Sequence, residues 1–311
     1  MDNKVISIKG NQMKRQKYKT YGFYLSVAAL PVLQFIIFYI CVNFNSILLS
    51  LKTIDPYTLE VTGINFNNFK AIFEDLSAEF SMLKDPIINS CFAFFWITII
   101  SLPCGLLFSY YIFKKMPFSG FFKVMLFIPS IVSSIVMTMI FRAVVNVAIP
   151  SWVNYLFGIE MKGLLTMDES LFGMIIFYNI WIGFGTQILM YVSAMSGISE
   201  SMIEASEIDG ANVWKQFIHV IFPSVYQTFV VFLTVQIASI FINQLTLFPF
   251  YGKNAKGLVQ TVGYYLYVGT QTGTLKDYPL YSALGILATL FTLPLVFSAR
   301  WALNKFGPKE D

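Results

Sequence analysis

Charged residues are scarce in this sequence: Asp, Glu, Lys and Arg make up only 12% of its 311 residues, whereas hydrophobic residues make up 56%. Ordinary soluble domains carry roughly 25% charged residues. So large an excess of apolar side chains excludes a soluble globular protein. It predicts instead an all-α membrane protein with several spans.

Histidine and cysteine are also rare. The one histidine, His219, has no neighbours that would complete a metal cluster, and Cys41, Cys91 and Cys104 lie in apolar stretches without metal-ligand spacing. The sequence also lacks the Gly-rich phosphate loop of nucleotide-binding proteins. We therefore predict that this chain has no catalytic residue and binds no metal or cofactor. The net charge of only +4 gives no reason to expect nucleic acid as a partner.

Intervals without charge locate the expected spans. Six transmembrane helices are predicted, near residues 21–45, 87–113, 121–143, 170–195, 225–247 and 279–302. None of them carries an acidic or basic residue in its interior, which argues against an ion-driven transporter and against a strongly charged solute at mid-membrane. We expect 143–159 to form a short interfacial or extracytoplasmic helix, and 257–275, rich in Gly and Thr, to form a loop.

Basic residues set the expected orientation. They are concentrated in the N-terminal segment 1–19 and in the short connection 114–123. By the positive-inside rule, both termini should face the cytoplasm. The predicted division is a basic cytoplasmic N-terminus at 1–19, a six-span domain at 20–305 with a cytoplasmic loop at 196–224, and a cytoplasmic tail at 306–311.

Two predicted helices carry polar residues at helical spacing. Asn179 and Gly183 are four positions apart, and Gln236, Ser239 and Asn243 follow one face of a later helix. Amides both donate and accept hydrogen bonds, which suits a hydroxyl-rich ligand. The same groups could instead hydrogen-bond helix to helix, with Gly183 permitting close packing. Periodicity leaves both interpretations open.

The 196–224 loop carries a more specific pattern. Ser201 and Glu204 have the spacing of a capping box, which predicts the start of a short helix, and Gly210 is a typical C-terminal stop. A second amphipathic stretch continues to Pro223. A short exposed helix on the cytoplasmic side is typical of a docking element, although a solvated loop helix would show a similar pattern.

The spacing within this loop resembles the coupling-loop motif of ABC importer permeases. The match runs Glu204-Ala205-Ser206, three residues, Gly210, nine residues, then Val220-Ile221-Phe222-Pro223; the departures are Ser206 for Ala, Val220 for Ile and Phe222 for Leu. Asp209, Gly210 and Ala211 also match the Asp-Gly-Ala of carbohydrate permeases. The resemblance implies the type I, maltose-type architecture, with ATPase coupling through Glu204, Ala205, Ser206, Asp209, Gly210 and Pro223.

The resemblance also implies partners and a ligand. Such permeases work with a second permease, two cytoplasmic ATPase subunits that bind ATP and Mg, and an extracytoplasmic solute-binding protein. The C-terminus lacks the Gly-Ala-Val-Lys-Gly tail of the maltose-G type, and the 251–275 region resembles the maltose-F or glycerol-phosphate-A type, so a heterodimer with a G-type permease is expected. Asn179, Gly183 and Asn243 resemble sugar-contacting positions, with Gln236 and Ser239 at equivalent lining positions.

The expected function is therefore that of a non-catalytic, multi-pass permease subunit in a bacterial cytoplasmic membrane, serving an ATP-driven importer of a sugar or oligosaccharide. Two alternatives remain open: a permease for another neutral or peptide-like solute, and a stand-alone facilitator. An anionic cargo is disfavoured because the predicted spans offer it no cationic group.

Overall fold

The structure, a computed structural model, describes residues 20–55, 57–58 and 60–308. The predicted basic segment 1–19 and residues 309–311 of the predicted tail lie outside the described residues. Helices account for most of the rest. The one sheet among the described residues is a two-stranded antiparallel hairpin of β1 (Lys52–Ile54) and β2 (Val61–Ile64). The all-α class predicted from composition is confirmed.

Twelve α-helical segments follow one another along the described chain. They are α1 (Thr20–Ser50), α2 (Asn67–Ser77), α3 (Lys84–Phe113), α4 (Ser119–Ile131), α5 (Ser134–Phe157), α6 (Asp168–Met195), α7 (Glu200–Ile208), α8 (Val213–Ser224), α9 (Tyr226–Ala238), α10 (Leu247–Tyr251), α11 (Val262–Thr272) and α12 (Tyr278–Phe306).

Five of these helices are long and apolar enough to cross a membrane: α1, α3, α5, α6 and α12. A sixth candidate is the pair α8 and α9, which meet at a bend of 69°. Within the described chain, the predicted six spans are therefore reached when this bent pair is counted as one. The cytoplasmic location of both termini stays a prediction from the distribution of basic residues.

The third predicted span, 121–143, is not one continuous helix. The chain leaves the helical conformation at Val132 (φ −72°, ψ 143°) and Ser133 (φ −52°, ψ 135°), so α4 ends and α5 begins there. Pro129 lies in the last turn of α4, where its missing N–H weakens the helical hydrogen bonding. The prediction of one continuous span followed the interval without charge and gave no weight to Pro129, Ser133 and Ser134.

The predicted short helix at 143–159 is also corrected. These residues continue α5, which widens into a π-helical stretch over Val144–Ala148 and then runs to Phe157. The wider turns come directly before Pro150, which has no N–H to donate to a regular α-helical ladder. As a consequence Arg142 lies inside a candidate span, contrary to the expectation that span interiors carry no charge.

The fifth predicted span, 225–247, ends early. Helix α9 stops at Ala238, and residues 239–246 form turns in which Leu245 and Thr246 have positive φ values of 51° and 55°.

The prediction of a loop at 257–275 is also wrong, because Val262–Thr272 is helical. Thr261 caps that helix by accepting a hydrogen bond from the Tyr264 N–H, and Val262 and Tyr264 are buried.

Three buried clusters organise the described part of the bundle. One joins α2, α11 and α12 through Ile72, Val262 and Ala283; the other two differ in size. The larger one joins α3, α5, α6 and α10, with Phe141, Tyr178 and Phe250 in mutual ring contact. The smaller one lies beneath the 196–224 loop and includes Tyr110, Tyr191 and Ile221. Most other large apolar side chains are exposed at the outer surface, as expected for helices that face lipid.

Candidate functional site

The short helix predicted within the 196–224 loop is present as α7, but its start differs from the prediction. The N-cap is Ser199, whose backbone is extended (φ −65°, ψ 137°), and Glu200 is the first helical residue. The Ser201 hydroxyl contacts Ser199 Oγ at 3.3 Å rather than a main-chain N–H. The capping box proposed for Ser201 and Glu204 is therefore wrong.

The predicted stop at Gly210 is confirmed. Gly210 has φ +75°, a conformation that side-chain-bearing residues adopt at a cost. Its N–H donates to Glu207 O at 3.0 Å, and the Ala211 N–H donates to Ser206 O at 2.9 Å. This pair of bonds is a Schellman motif, which turns the chain sharply from α7 toward α8.

Helix α7 has an inner and an outer face. Ser206 points inward and is 9% exposed, whereas Glu204, Ala205 and Asp209 are exposed and Ile208 is 86% exposed. Within the described chain, Glu204 forms no ion pair. Four predicted coupling residues (Glu204, Ala205, Asp209 and Gly210) are thus accessible, and Ser206 is not.

Two side chains that sequence reasoning missed hold α7 to the bundle. Gln216, on α8, is 2% exposed, and its Nε2 donates to Ser206 Oγ at 2.8 Å. The Tyr110 hydroxyl, on α3, lies 3.2 Å from Gln216 Oε1 and 3.0 Å from Val213 O. The sequence gave no signal for this burial, because a glutamine in an amphipathic helix is usually expected on its polar, exposed face.

A salt bridge on the surface joins the same elements. Lys114 Nζ lies 3.0 Å from Glu207 Oε1. The hydrogen bond from Lys114 is the main reason why the pKa of Glu207 lies below its ordinary value, and a hydrogen bond from Gln216 lowers that pKa further.

Pro223, the last predicted coupling residue, lies near the end of α8, just before the bend at Val225.

Four of the five residues predicted to contact a ligand lie in or next to the turn 239–246; Gly183 is the exception. Asn179 Nδ2 donates to Leu245 O at 2.9 Å, and Asn243 Oδ1 accepts the Leu245 N–H at 2.9 Å. Both amides therefore hold the same buried residue. Gln236, Ser239 and Asn243 line a small cleft together with Ser90 and Phe94 of α3.

Gly183 lies one helical turn from Asn179, and its surroundings are open. A Cβ added at Gly183 would meet no atom of this chain within 4 Å. Close helix packing within the chain is therefore not the reason for this glycine. By contrast Gln187, one turn further along α6, is buried, and its Nε2 donates to Ser101 Oγ at 2.6 Å, joining α6 to α3.

Arg142 is a charged residue in the interior of the candidate span α5. Its guanidinium lies over the Tyr251 ring, with Cζ 5.6 Å from the ring centroid, and it forms no ion pair with any described residue. The described residues include no group of three His, Cys, Asp or Glu side chains that could hold a metal ion.

Comparison with known proteins identifies the class to which this helical bundle belongs, an inner membrane component of a transport system. Residues 97–310 match the family described as the binding-protein-dependent transport system inner membrane component. This match covers more than half of the chain, and the chain belongs to that family.

Relatives include the arabinooligosaccharides transport system permease protein AraP of Bacillus subtilis (strain 168), 26% identical over 66% of this chain and 64% of that one. The maltose/maltodextrin transport system permease protein MalF of Vibrio vulnificus (strain YJ016) is 26% identical over 74% of this chain. The chain matches less than two thirds of the length of AraP and only 46% of the length of MalF.

A solved structure shows the same fold. One chain of a bacterial ABC transporter involved in the import of the acidic polysaccharide alginate superposes with a TM-score of 0.78 at 18% identity. The alignment covers 94% of this chain and 99% of the other. The helix arrangement described above is therefore the same as in that transporter chain.

Proposed function

We propose that this chain is the permease subunit of an ATP-driven importer for a sugar or oligosaccharide, and that α7 is its coupling helix. The observation that carries the proposal is the two-faced character of α7: Ser206 is anchored inward, while Glu204, Ala205 and Ile208 are free to meet another protein. The names of the relatives AraP and MalF support carbohydrate as the cargo.

The proposed assembly contains two ATPase subunits, a second permease of the G type and an extracytoplasmic solute-binding protein. ATP and Mg bind to the ATPases. Closure of the ATPases displaces α7, and the bundle switches between inward-open and outward-open states. The six-span unit 20–305 has both termini in the cytoplasm, and Asn179, Gly183, Gln236, Ser239 and Asn243 lie along the solute path.

Charge reversal on the outer face of α7 tests the proposal. In proteoliposomes containing the full complex, Glu204→Lys should abolish solute uptake that depends on ATP, while the chain remains in the membrane. Glu160→Lys is the matched control, because Glu160 is an exposed acid in a different connection. If Glu204→Lys takes up solute as well as Glu160→Lys and the unmodified complex do, α7 is ruled out as the docking element. Solute flux through this chain alone, without ATP, would instead support the facilitator.

Arg142 favours a second class of cargo, an anionic saccharide. The sequence argued against such a cargo because the predicted spans offered no cationic group. Arg142 lies within candidate span α5 and supplies one. The structural neighbour is an importer of an acidic polysaccharide. Competition of labelled uptake by a uronic acid oligosaccharide, compared with its neutral counterpart, separates the two classes.

A further inference from the structure

Three side chains from three helices meet in a buried site behind α7. Tyr110 belongs to α3, Ser206 to α7 and Gln216 to α8, and they are 4%, 9% and 2% exposed. We call these three residues the polar latch. None of them needs to be polar for packing, because apolar side chains of similar size would fill the same space.

The hydrogen bonds of the latch run in sequence. Gln216 Nε2 donates to Ser206 Oγ at 2.8 Å and lies 3.4 Å from Ile203 O. The amide oxygen of Gln216 is 3.2 Å from the Tyr110 hydroxyl. Gln216 is therefore the only member of the latch that contacts both of the others, and it connects α7 to α3.

Each of the other two members has a second partner. The Ser206 hydroxyl donates to Ile203 O at 2.6 Å, and the Tyr110 hydroxyl reaches Val213 O at 3.0 Å. Replacing Gln216 by leucine therefore breaks the connection without leaving a buried hydroxyl unsatisfied. Burial of an unsatisfied polar group is the usual reason why such a change prevents folding.

Helix α3 connects the latch with the candidate ligand cleft. Tyr110 is near its end, and Ser90 and Phe94, which line the cleft, are near its start. The 20 residues from Ser90 to Tyr110 correspond to about 30 Å of helix. Ser90 Oγ also accepts the Val262 N–H at 3.0 Å, which fixes that end of α3 to α11.

We propose that Gln216 is a positioning residue that makes α7 and the adjoining end of α3 move as one body, so that displacement of α7 reaches the cleft through α3. This proposal rests on the proposed function of α7 as the coupling helix. The proposal also gives a reason for Ser206, which stands where the motif has alanine: its hydroxyl oxygen accepts a hydrogen bond from the Gln216 amide.

The test is the number of solute molecules transported per ATP hydrolysed, measured in proteoliposomes with the full complex. Two hydrogen bonds of ordinary strength shift the equilibrium between connected and separated helices by about tenfold. We therefore expect Gln216→Leu to lower this ratio by up to about that factor, while the ATPase subunits remain bound. Ser206→Ala added to Gln216→Leu should lower it no further, because both changes break the same connection. An unchanged ratio in Gln216→Leu would overturn the proposal.

Two further variants separate the latch from packing and from surface charge. Tyr110→Phe keeps the ring contact with Phe217, at 5.1 Å between centroids, and removes only the hydroxyl, so the ratio should fall. Lys114→Gln removes the salt bridge to Glu207, in which the lysine side chain is 22% exposed and the glutamate side chain 57% exposed. It should leave the ratio within about twofold, because ion pairs that water reaches contribute little. A fall in Lys114→Gln equal to that in Gln216→Leu would contradict the special role of the latch.

A distance measurement covers the case in which transport cannot be assayed. Spin labels at Ile208 on α7 and Tyr111 on α3, with the three native cysteines replaced, report the separation of the two helices. The distance distribution should broaden in Gln216→Leu and Tyr110→Phe; an unchanged distribution in both would overturn the proposal. In the transport assay described above, Glu204→Lys is measured beside Gln216→Leu. If Glu204→Lys still transports solute, the proposed function fails. If Glu204→Lys is inactive and Gln216→Leu keeps the normal ratio, the latch alone fails.

Discussion

Thr246 and Asn179 are joined by a hydrogen bond across 67 residues of sequence: Thr246 Oγ1 donates to Asn179 Oδ1 at 2.9 Å. The same asparagine donates from Nδ2 to Leu245 O and to Ile175 O. One amide thus fixes two consecutive residues that have positive φ values. Asn179, predicted as a ligand contact, has a structural role that the sequence pattern did not distinguish from binding.

Removal of the Asn179 amide should destabilise the chain. Asn179→Ala leaves Leu245 O and the Thr246 hydroxyl without a partner, which costs about 1–3 kcal/mol. Thermal unfolding of the purified chain in detergent measures the effect. Thr246→Val, which removes a single hydrogen bond, should cost less. Equal stability of Asn179→Ala and the unmodified chain would show that these bonds do not support the turn.

Gly183 and Gly185 form a matched pair on α6. A Cβ at Gly183 would meet nothing, whereas a Cβ at Gly185 would overlap the side chain of Ser130 on α4. Gly185→Ala should therefore destabilise the chain by about 1–3 kcal/mol through overpacking. Gly183→Ala should leave stability unchanged and lower uptake, because the added methyl group enters the proposed solute path. Full uptake in Gly183→Ala would remove Gly183 from that path.

Arg142 should face water rather than lipid, because a charged side chain in hydrocarbon is costly. With the native cysteines replaced, Arg142→Cys should react with a charged, membrane-impermeant thiol reagent. Ile140→Cys is the control, since Ile140 is an exposed apolar residue of the same helix. Reaction at both positions, or at Ile140 alone, would show that α5 is oriented differently.

Asp75 gives a prediction for pH. Partial burial raises the pKa of Asp75, but hydrogen bonds from the Ser81 hydroxyl and from the Met82 and Leu83 amides outweigh burial, and the pKa lies below its ordinary value of 3.8. The folded state therefore gains stability from ionised Asp75 above pH 3.8, and this gain is lost as the pH falls through the lowered pKa.

Hydrogen exchange at Met82 and Leu83 measures this effect. Their protection should exceed that in Asp75→Asn at neutral pH, because the asparagine carries no charge. The difference between the two proteins should disappear in acid, once Asp75 is protonated. Comparison at each pH removes the intrinsic pH dependence of exchange. A difference that persists unchanged into acid would show that the charge of Asp75 is not its source.

Local patterns predicted local features well. Apolar intervals located four of the six predicted spans as single helices: 21–45, 87–113, 170–195 and 279–302. Gly210 marked the end of α7, because the left-handed conformation at a helix end depends on a single residue.

The break at Val132 was missed although Pro129, Ser133 and Ser134 mark it, because the interval without charge continues across it. Pro223 marked the start of the next predicted span, but the 69° angle between α8 and α9 depends on packing that the sequence does not show. The burial of Gln216 and the partners of Asn179 were missed because both depend on residues distant in sequence.

Helix α9 has 13 residues, a length of about 20 Å, whereas the hydrocarbon core of a bilayer is about 30 Å thick. Helix α8 meets α9 at 69° and adds little length along the axis of α9, so the turns at 239–246 supply part of the remaining depth with backbone that is not helical. Lipid cannot satisfy such backbone, so it is tolerated only against protein or water. Asn179, Asn243 and Thr261 supply its hydrogen bonds. These side chains satisfy backbone groups that a further helical turn would have satisfied. The irregular stretch 239–246 must therefore face away from the acyl chains.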